Sequence, residues 1–299
     1  MEQQEILKRK MDSASDLQSV VKTMKALAAV NIREYQKAVE SLEDYYRTVE
    51  WGLQVLMRNR QEKEGLVFFP DESRVQSVGA VIFGSEQGMV GQFNEKIASF
   101  ALEKLRKIDS SENTVVMAVG ERVISRLEDR GQEVSYKFPS FGSQVDLTSV
   151  AQELLIQIEE WRTSFGVDKI FLFFNKTASG TIYQPAMTQL FPLDLEWLKN
   201  LGRREWPTRM IPAIFMDWRR LFSSLLRNYF FVQIYTAAAE SLASENAGRL
   251  ASMQAAEKNI QDKLEELNVL YQQQRQAAIT SELLDIVSGF EILSSKEKD

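Results

Sequence analysis

The stretch Gly84-Ser85-Glu86-Gln87-Gly88-Met89-Val90-Gly91 carries the residue types most suggestive of ligand chemistry. It follows an apolar run, Val78 to Phe83, and precedes a helical pattern. Backbone N–H groups at such a junction, together with the helix N-terminus, attract phosphate. The spacing fits neither G-x-G-x-x-G nor G-x-x-x-x-G-K-[ST], because no lysine follows the last glycine and no Mg²⁺-binding serine or threonine is in place. The stretch therefore reads as a tight strand-to-helix turn. Glu159-Glu160 and Glu265-Glu266 are adjacent carboxylates, but neighbours on a helix point about 100° apart and do not face one another. They read as solvated faces. The chain has no histidine and no cysteine, which removes the commonest general base and metal ligand as well as thiolates and disulfides. Ser-His-Asp, Cys-His and His-based metal chemistry are excluded, and no catalytic, cofactor-binding or metal-binding set is expected.

The elements that must position everything else are two long helices. Beyond Pro212 there is no proline, and the only glycines are Gly248 and Gly289. Asp217 to Ser288 reads as one helix of roughly 108 Å. Apolar residues recur in a 4-3 step through Leu221, Leu225, Val232, Tyr235, Leu242, Met253, Ile260, Leu267, Leu270 and Leu284, with Asn228, Asn246, Arg249, Lys263 and Gln274 interrupting the seam. Such polar positions fix register or mark where a partner ends. The first helix, Glu2 to Asn59, keeps the same step through Leu17, Val21, Met24, Ala28, Tyr35, Leu42, Tyr45, Val49 and Leu56. The simplest architecture is an antiparallel coiled coil of the two terminal arms. The C-terminal arm is the longer, and its tip (Ala277, Ala278, Ile279, Leu283, Leu284, Ile286, Val287) is apolar around most of its circumference. A helix apolar all round is buried somewhere, here by other subunits.

All six prolines lie between Pro70 and Pro212, which marks a compact domain inserted between the arms. The expected division is 1–64, 65–212 and 213–299, with Arg58 to Glu64 as a solvated connector. Inside the insert, strands are expected at Val78–Phe83, Thr114–Val119 and Lys169–Phe174, with Tyr183–Leu193 as an edge strand. Helices are expected at Asn94–Lys107, Glu121–Arg130 and Leu147–Phe165. Buried β-rich runs alternating with helices predict an α/β, Rossmann-like fold with a mainly parallel sheet covered on both faces.

Hydrophobic and charged residues make up 44% and 26% of the chain, as in ordinary soluble proteins. A net charge of −6 argues against nucleic-acid binding. No apolar run approaches the roughly 18 residues that cross a bilayer, and Met1 to Lys25 lacks the apolar centre of a signal peptide. Within this acidic chain the N-terminal arm carries positive charge at Lys8, Arg9, Lys10, Lys22, Lys25 and Arg33. Solvation of an exposed face and contact with acidic loops of a partner both account for it.

Tyr271 to Gly289, YQQQRQAAITSELLDIVSG, closely resembles the C-terminal signature of the gamma subunits of F-type rotary ATP synthases. Leu242 to Ala256, Lys22 to Ala29, Asn175 and Gln189 to Leu193 resemble further family stretches, and Ser85 to Asn94 is a weaker match. The resemblance runs from end to end of the chain. It implies the central rotor stalk: a coiled coil filling the bore of a ring of three alpha and three beta subunits, and an α/β domain beside the epsilon subunit and the membrane c-ring of Fo. It implies no active site and no cofactor of its own, with attachment to a bacterial inner or other energy-transducing membrane, on its cytoplasmic face, only through partners. Carried over residue by residue, the contact with the beta-subunit catch loop falls on Arg275, Gln276 and Thr280, and Met24 and Lys25 lie near the lever loops. The loop departs from the family pattern at Glu86, Gln87, Val90 and Gln92. A nucleotide-binding Rossmann-type protein and a free-standing coiled-coil scaffold are the alternatives.

Overall fold

The computed structural model describes residues 2–59, 77–108, 114–139, 144–164, 166–178 and 181–296. In chain order the elements are α1 (Glu2–Arg58), β1 (Val78–Phe83), α2 (Phe93–Ile108), β2 (Thr114–Val119), α3 (Glu121–Glu128), β3 (Tyr136–Phe138), α4 (Gln144–Ser164), β4 (Lys169–Ala178), β5 (Thr181–Phe191), α5 (Leu195–Arg203) and α6 (Trp218–Lys296). Of the expected connector Arg58–Glu64, Arg58 instead ends α1 and donates to the Gly202 carbonyl at 3.0 Å, whereas residues 60–64, with the boundary near Glu64, lie outside the described ones. Two compact units result, Met1–Leu27 with Leu250–Asp299, and Ala28–Arg249.

The larger unit holds a five-stranded sheet of order β3-β2-β1-β4-β5. β1 is parallel to β2 and β4, β3 is parallel to β2, and β5 runs antiparallel on the edge. Alternation of side chains across a strand explains the two cores. Val78, Ala80 and Ile82 of β1 join Val116, Ala118, Phe171 and Phe173 beneath α2 and α3. Val81 and Phe83 point the other way, into a core with α4 and the unit's portions of α1 and α6. The edge position of β5 also explains Pro185 within a strand, since a missing N–H costs no ladder bond at a free edge. Two short elements lie outside the sequence reading: β3, and α5, whose N-cap Asp194 accepts from the Glu196 and Trp197 amides at 2.8 and 3.2 Å.

Within this unit α6 is buried nearly all round, from Phe230 through Asn246, because the sheet layer and α1 both pack on it. Its seam asparagines pin the register as expected. Asn228 accepts from the Tyr45 hydroxyl at 2.8 Å, and Asn31 donates to Asn246 at 3.4 Å.

In the smaller unit the helices pair antiparallel: Lys25 with Glu257 (2.5 Å), Gln18 with Gln261 (2.9 Å), and Gln3 and Gln4 with Gln274 (2.9 and 3.2 Å). Here the seam differs from the expected step. On α6 the inward side chains are Met253, Ala256, Ile260, Leu264, Leu267, Tyr271 and Gln274, with Lys263 and Leu270 outside. Two successive four-residue steps, Ala256 to Ile260 to Leu264, shift the stripe by one position, the kind of discontinuity that locally unwinds a supercoil. Lys263 instead reaches Glu266 on its own helix at 2.8 Å. On α1 the seam passes through Gln18, and Leu17 is exposed.

This seam sets an expectation for stability. In the isolated chain Leu267→Ala removes a buried side chain and should cost about 2–3 kcal/mol, whereas Leu270→Ala, at a position 43% exposed, should stay within about 0.5 kcal/mol. Urea unfolding of both variants checks it, and equal losses would contradict the observed seam.

Candidate functional site

Two places could act: the crevice at the carboxyl end of the sheet and the free end of α6. In open α/β sheets ligands sit where strand order reverses, here between the ends of β1 and β4. The Gly84–Gly91 turn occupies that place. Ser85, fully buried, receives a bond from the Asn94 amide at 2.8 Å, gives its own N–H to Asn94 Oδ1 at 2.9 Å, and sends its hydroxyl to the Gln87 carbonyl at 2.8 Å. The N–H groups that open α3 are also taken. Arg122 N–H donates to the Ser85 carbonyl at 3.0 Å and Glu121 N–H to the Glu86 carboxylate at 3.2 Å. An anion at this helix start would have to displace one the protein itself supplies. Gly120 permits the approach, with φ of 102° and no space for a side chain against the Ser85 backbone.

The remaining space is filled by Val90, Phe93 and Tyr183, with the two rings edge-to-face at 5.3 Å. Asn175 reaches the Phe93 carbonyl at 3.4 Å. Gly248 of α6 lies against this plug, and a Cβ there would stand 2.9 Å from the Tyr183 ring. The crevice is a joint between the sheet layer and α6, in keeping with the reading of the turn as structural. Nearby on α6, Glu245 and Arg249 form a nearly buried pair at 2.7 Å. Burial pushes the Glu245 carboxyl above its ordinary range even with the guanidinium beside it. Burial likewise raises the Glu240 carboxyl, partly offset by Lys176.

At its far end α6 presents the predicted contact residues. Arg275, Gln276 and Thr280 are all exposed, on consecutive turns. The Thr280 hydroxyl donates to the Gln276 carbonyl at 2.9 Å, so its lone pairs face outward. Ile279, Leu283, Leu284, Ile286 and Val287 are exposed around them, Ile286 to 68%. The first described contacts of α1 reach only Gln274. Beyond it, no contact with another element is seen among the described residues. Met24 is half-buried in the two-helix seam. Lys25 is held in its ion pair with Glu257, which sequence reasoning did not anticipate because the partner lies 232 positions away. The other basic residues of α1 singled out above, Lys8, Arg9, Lys10, Lys22 and Arg33, are exposed. Among the described residues no helix is long and apolar enough to cross a membrane, and no cluster of acidic side chains could hold a metal.

Long antiparallel terminal helices, a mainly parallel sheet with a plugged crevice and a bare apolar helix end define a protein of helical arms with an inserted α/β domain. The chain belongs to the ATP synthase family, whose model matches residues 3–293. It is 26% identical over 287 residues to the ATP synthase gamma chain of Glaesserella parasuis, covering 95% of this chain and 96% of that one. With the ATP synthase gamma chain of Nitrosomonas eutropha it shares 24% identity, covering 95% and 97%. Among solved structures, a chain of the Euglena gracilis mitochondrial ATP synthase OSCP/F1/c-ring assembly superposes with a TM-score of 0.67 at 14% identity, over 99% of this chain and 96% of that chain. A chain from the rotor of the same organism's enzyme gives 0.63 at 12% identity, over 93% and 99%. These two share the fold.

The raised Glu240 carboxyl predicts a pH dependence. A carboxyl whose folded pKa is raised stabilises the fold below its unfolded pKa, and that contribution is lost as pH rises through the folded value. Glu240→Gln should therefore gain stability relative to the parent between pH 4.5 and pH 7.5, measured by urea unfolding at both; a constant difference would contradict it.

Proposed function

We propose that this chain is the central-stalk subunit of an F-type ATP synthase, a shaft without an active site of its own. It transmits torque between the c-ring and the ring of alpha and beta subunits, and so couples ion translocation to ATP synthesis or hydrolysis. The observation that carries this reading is the free end of α6, apolar on most sides and beyond the reach of α1. A family-wide match from residue 3 to residue 293 supports it.

Arg275, Gln276 and Thr280 contact the beta-subunit catch loop. A guanidinium pairs with a carboxylate through two parallel bonds, which suits a contact that must hold under load. Gln276 offers a donor and an acceptor, and Thr280 an acceptor, on the same face. Met24 and Lys25 lie toward the lever loops, where a partner carboxylate would share Lys25 with Glu257. Residues 1–64 and 213–299 form the shaft. Residues 65–212 form the body that meets the epsilon subunit and the c-ring on the cytoplasmic face of an energy-transducing membrane. The nucleotide-binding alternative loses ground because the turn and the α3 amides are occupied by the chain's own groups.

Copurification with a tagged chain should bring down alpha and beta subunits. In the reconstituted complex, Arg275→Ala should lower ATP-driven ion pumping several-fold while unfolding of the isolated chain stays within about 0.5 kcal/mol. Unchanged pumping would remove Arg275 from the contact.

A further inference from the structure

The joint between the Gly84–Gly91 turn and α6 holds charge that plugging a crevice does not require. A polar chain crosses it, entirely within the larger unit. On α6 the Arg249 guanidinium donates to Glu245 Oε1 at 2.7 Å and to Asn246 Oδ1 at 3.4 Å, and that same oxygen accepts from Asn31 of α1 at 3.4 Å. From the turn, the exposed Glu86 carboxylate acts on Glu245 as a like charge. Glu86 itself accepts from the Glu121 amide at the start of α3. The turn, α3 and α6 thus meet at two carboxylates and one guanidinium.

When all three are ionised, one negative charge is left over. The Glu245 and Arg249 side chains are only 8% and 12% exposed, so water does little to offset it. The pair is also incomplete, because the buried Arg249 Nε has no hydrogen-bond partner among the described residues. Binding one proton removes the excess charge. Glu86 sits at a helix N-terminus, where a negative charge is favoured, so the proton falls to Glu245. Burial pushes the Glu245 carboxyl up, Arg249 opposes the rise, and Glu86 adds to it. Two other charged sites lie nearby. Arg122 of α3 approaches the turn at Gly88 but is exposed, where solvent and salt weaken its reach. Glu240, opposed by Lys176 of β4, lies more than a turn back along α6.

We propose that the turn and α6 form a proton-linked latch, closed while Glu245 carries a proton and loosened when Glu86 and Glu245 are both charged and repel. The proton comes from solvent and returns to it. The latch stabilises the joint fully below the unfolded pKa of Glu245, and that contribution is lost as pH rises through the folded value. It uses only the chain's own residues, so its failure would leave the central-stalk reading untouched.

The test is a carboxyl ¹³C NMR titration of the full chain with labelled glutamate, the Glu245 signal being the one that Glu245→Gln removes. Its midpoint should lie above the ordinary carboxylate range. Glu86→Gln, a change at an exposed side chain, should move that midpoint down by removing the like charge. Amide exchange corrected for intrinsic rates supplies the conformational readout. Protection of residues 84–91 and of the Glu121 amide should fall roughly ten-fold as pH rises through the midpoint. Glu245→Gln, neutral at every pH, should hold that protection constant. If this variant does not fold, the parent and Glu86→Gln decide the matter alone, with the Glu245 signal assigned by scalar correlation to its own backbone amide. A Glu245 midpoint in the ordinary range, a midpoint indifferent to Glu86→Gln, or equal protection on both sides of the midpoint would each overturn the proposal.

Discussion

An apolar helix surface with no partner in its own chain is the constraint on which the rest depends. A lone helix in water draws little stability from propensity and needs tertiary packing. Past Gln274, α6 has no such packing among the described residues, yet it displays Ile279, Leu283, Leu284, Ile286 and Val287. Fully burying side chains of this kind is favourable by about 1.5–3 kcal/mol each. The free energy left unrealised by the chain alone is available to a sheath that closes around it. A surface apolar on most sides, not in one stripe, suits enclosure better than a single flat contact.

The sheet domain is arranged to grip the same helix. Large aromatics, Phe222, Phe230 and Tyr235, enter the core from α6. Gly248 lets Tyr183 and the Val90 carbonyl come close, and the buried Glu245–Arg249 pair gives the position a polar lock. The crevice that in other α/β folds receives a nucleotide is given over to this grip. Its donors are satisfied internally by the Ser85 carbonyl and the Glu86 carboxylate, which accounts physically for a glycine-rich turn that lacks the spacing of a phosphate loop.

Much of this was legible in the sequence. Short continuous apolar runs located β1, β2 and β4, which are buried on both faces, and Gly180 and Pro192 bounded the edge strand expected at Tyr183–Leu193. Helix periodicity found α2, α3 and α4 to within a few residues. The coiled-coil seam was read correctly through Ala28, Tyr35 and Val49, and incorrectly at Leu17, Lys263 and Leu270. A strict 4-3 step cannot accommodate two four-residue steps in succession, and only the pairing of Gln18 with Gln261 reveals the phase. α5 was missed because nine residues give little periodicity, although Asp194 ahead of Leu195, Leu198 and Leu201 carries a capping signal. β3, three residues on an exposed edge, has almost no local signature. The tip residues were found through resemblance, since exposure alone does not distinguish Arg275 from any other surface arginine.

Amide hydrogen exchange over residues 275–288 tests the central claim most directly, compared between the isolated chain and the chain assembled with alpha and beta subunits. The account predicts rapid exchange in the isolated chain and protection by orders of magnitude in the assembly. Strong protection already present in the isolated chain, or none gained on assembly, would contradict it.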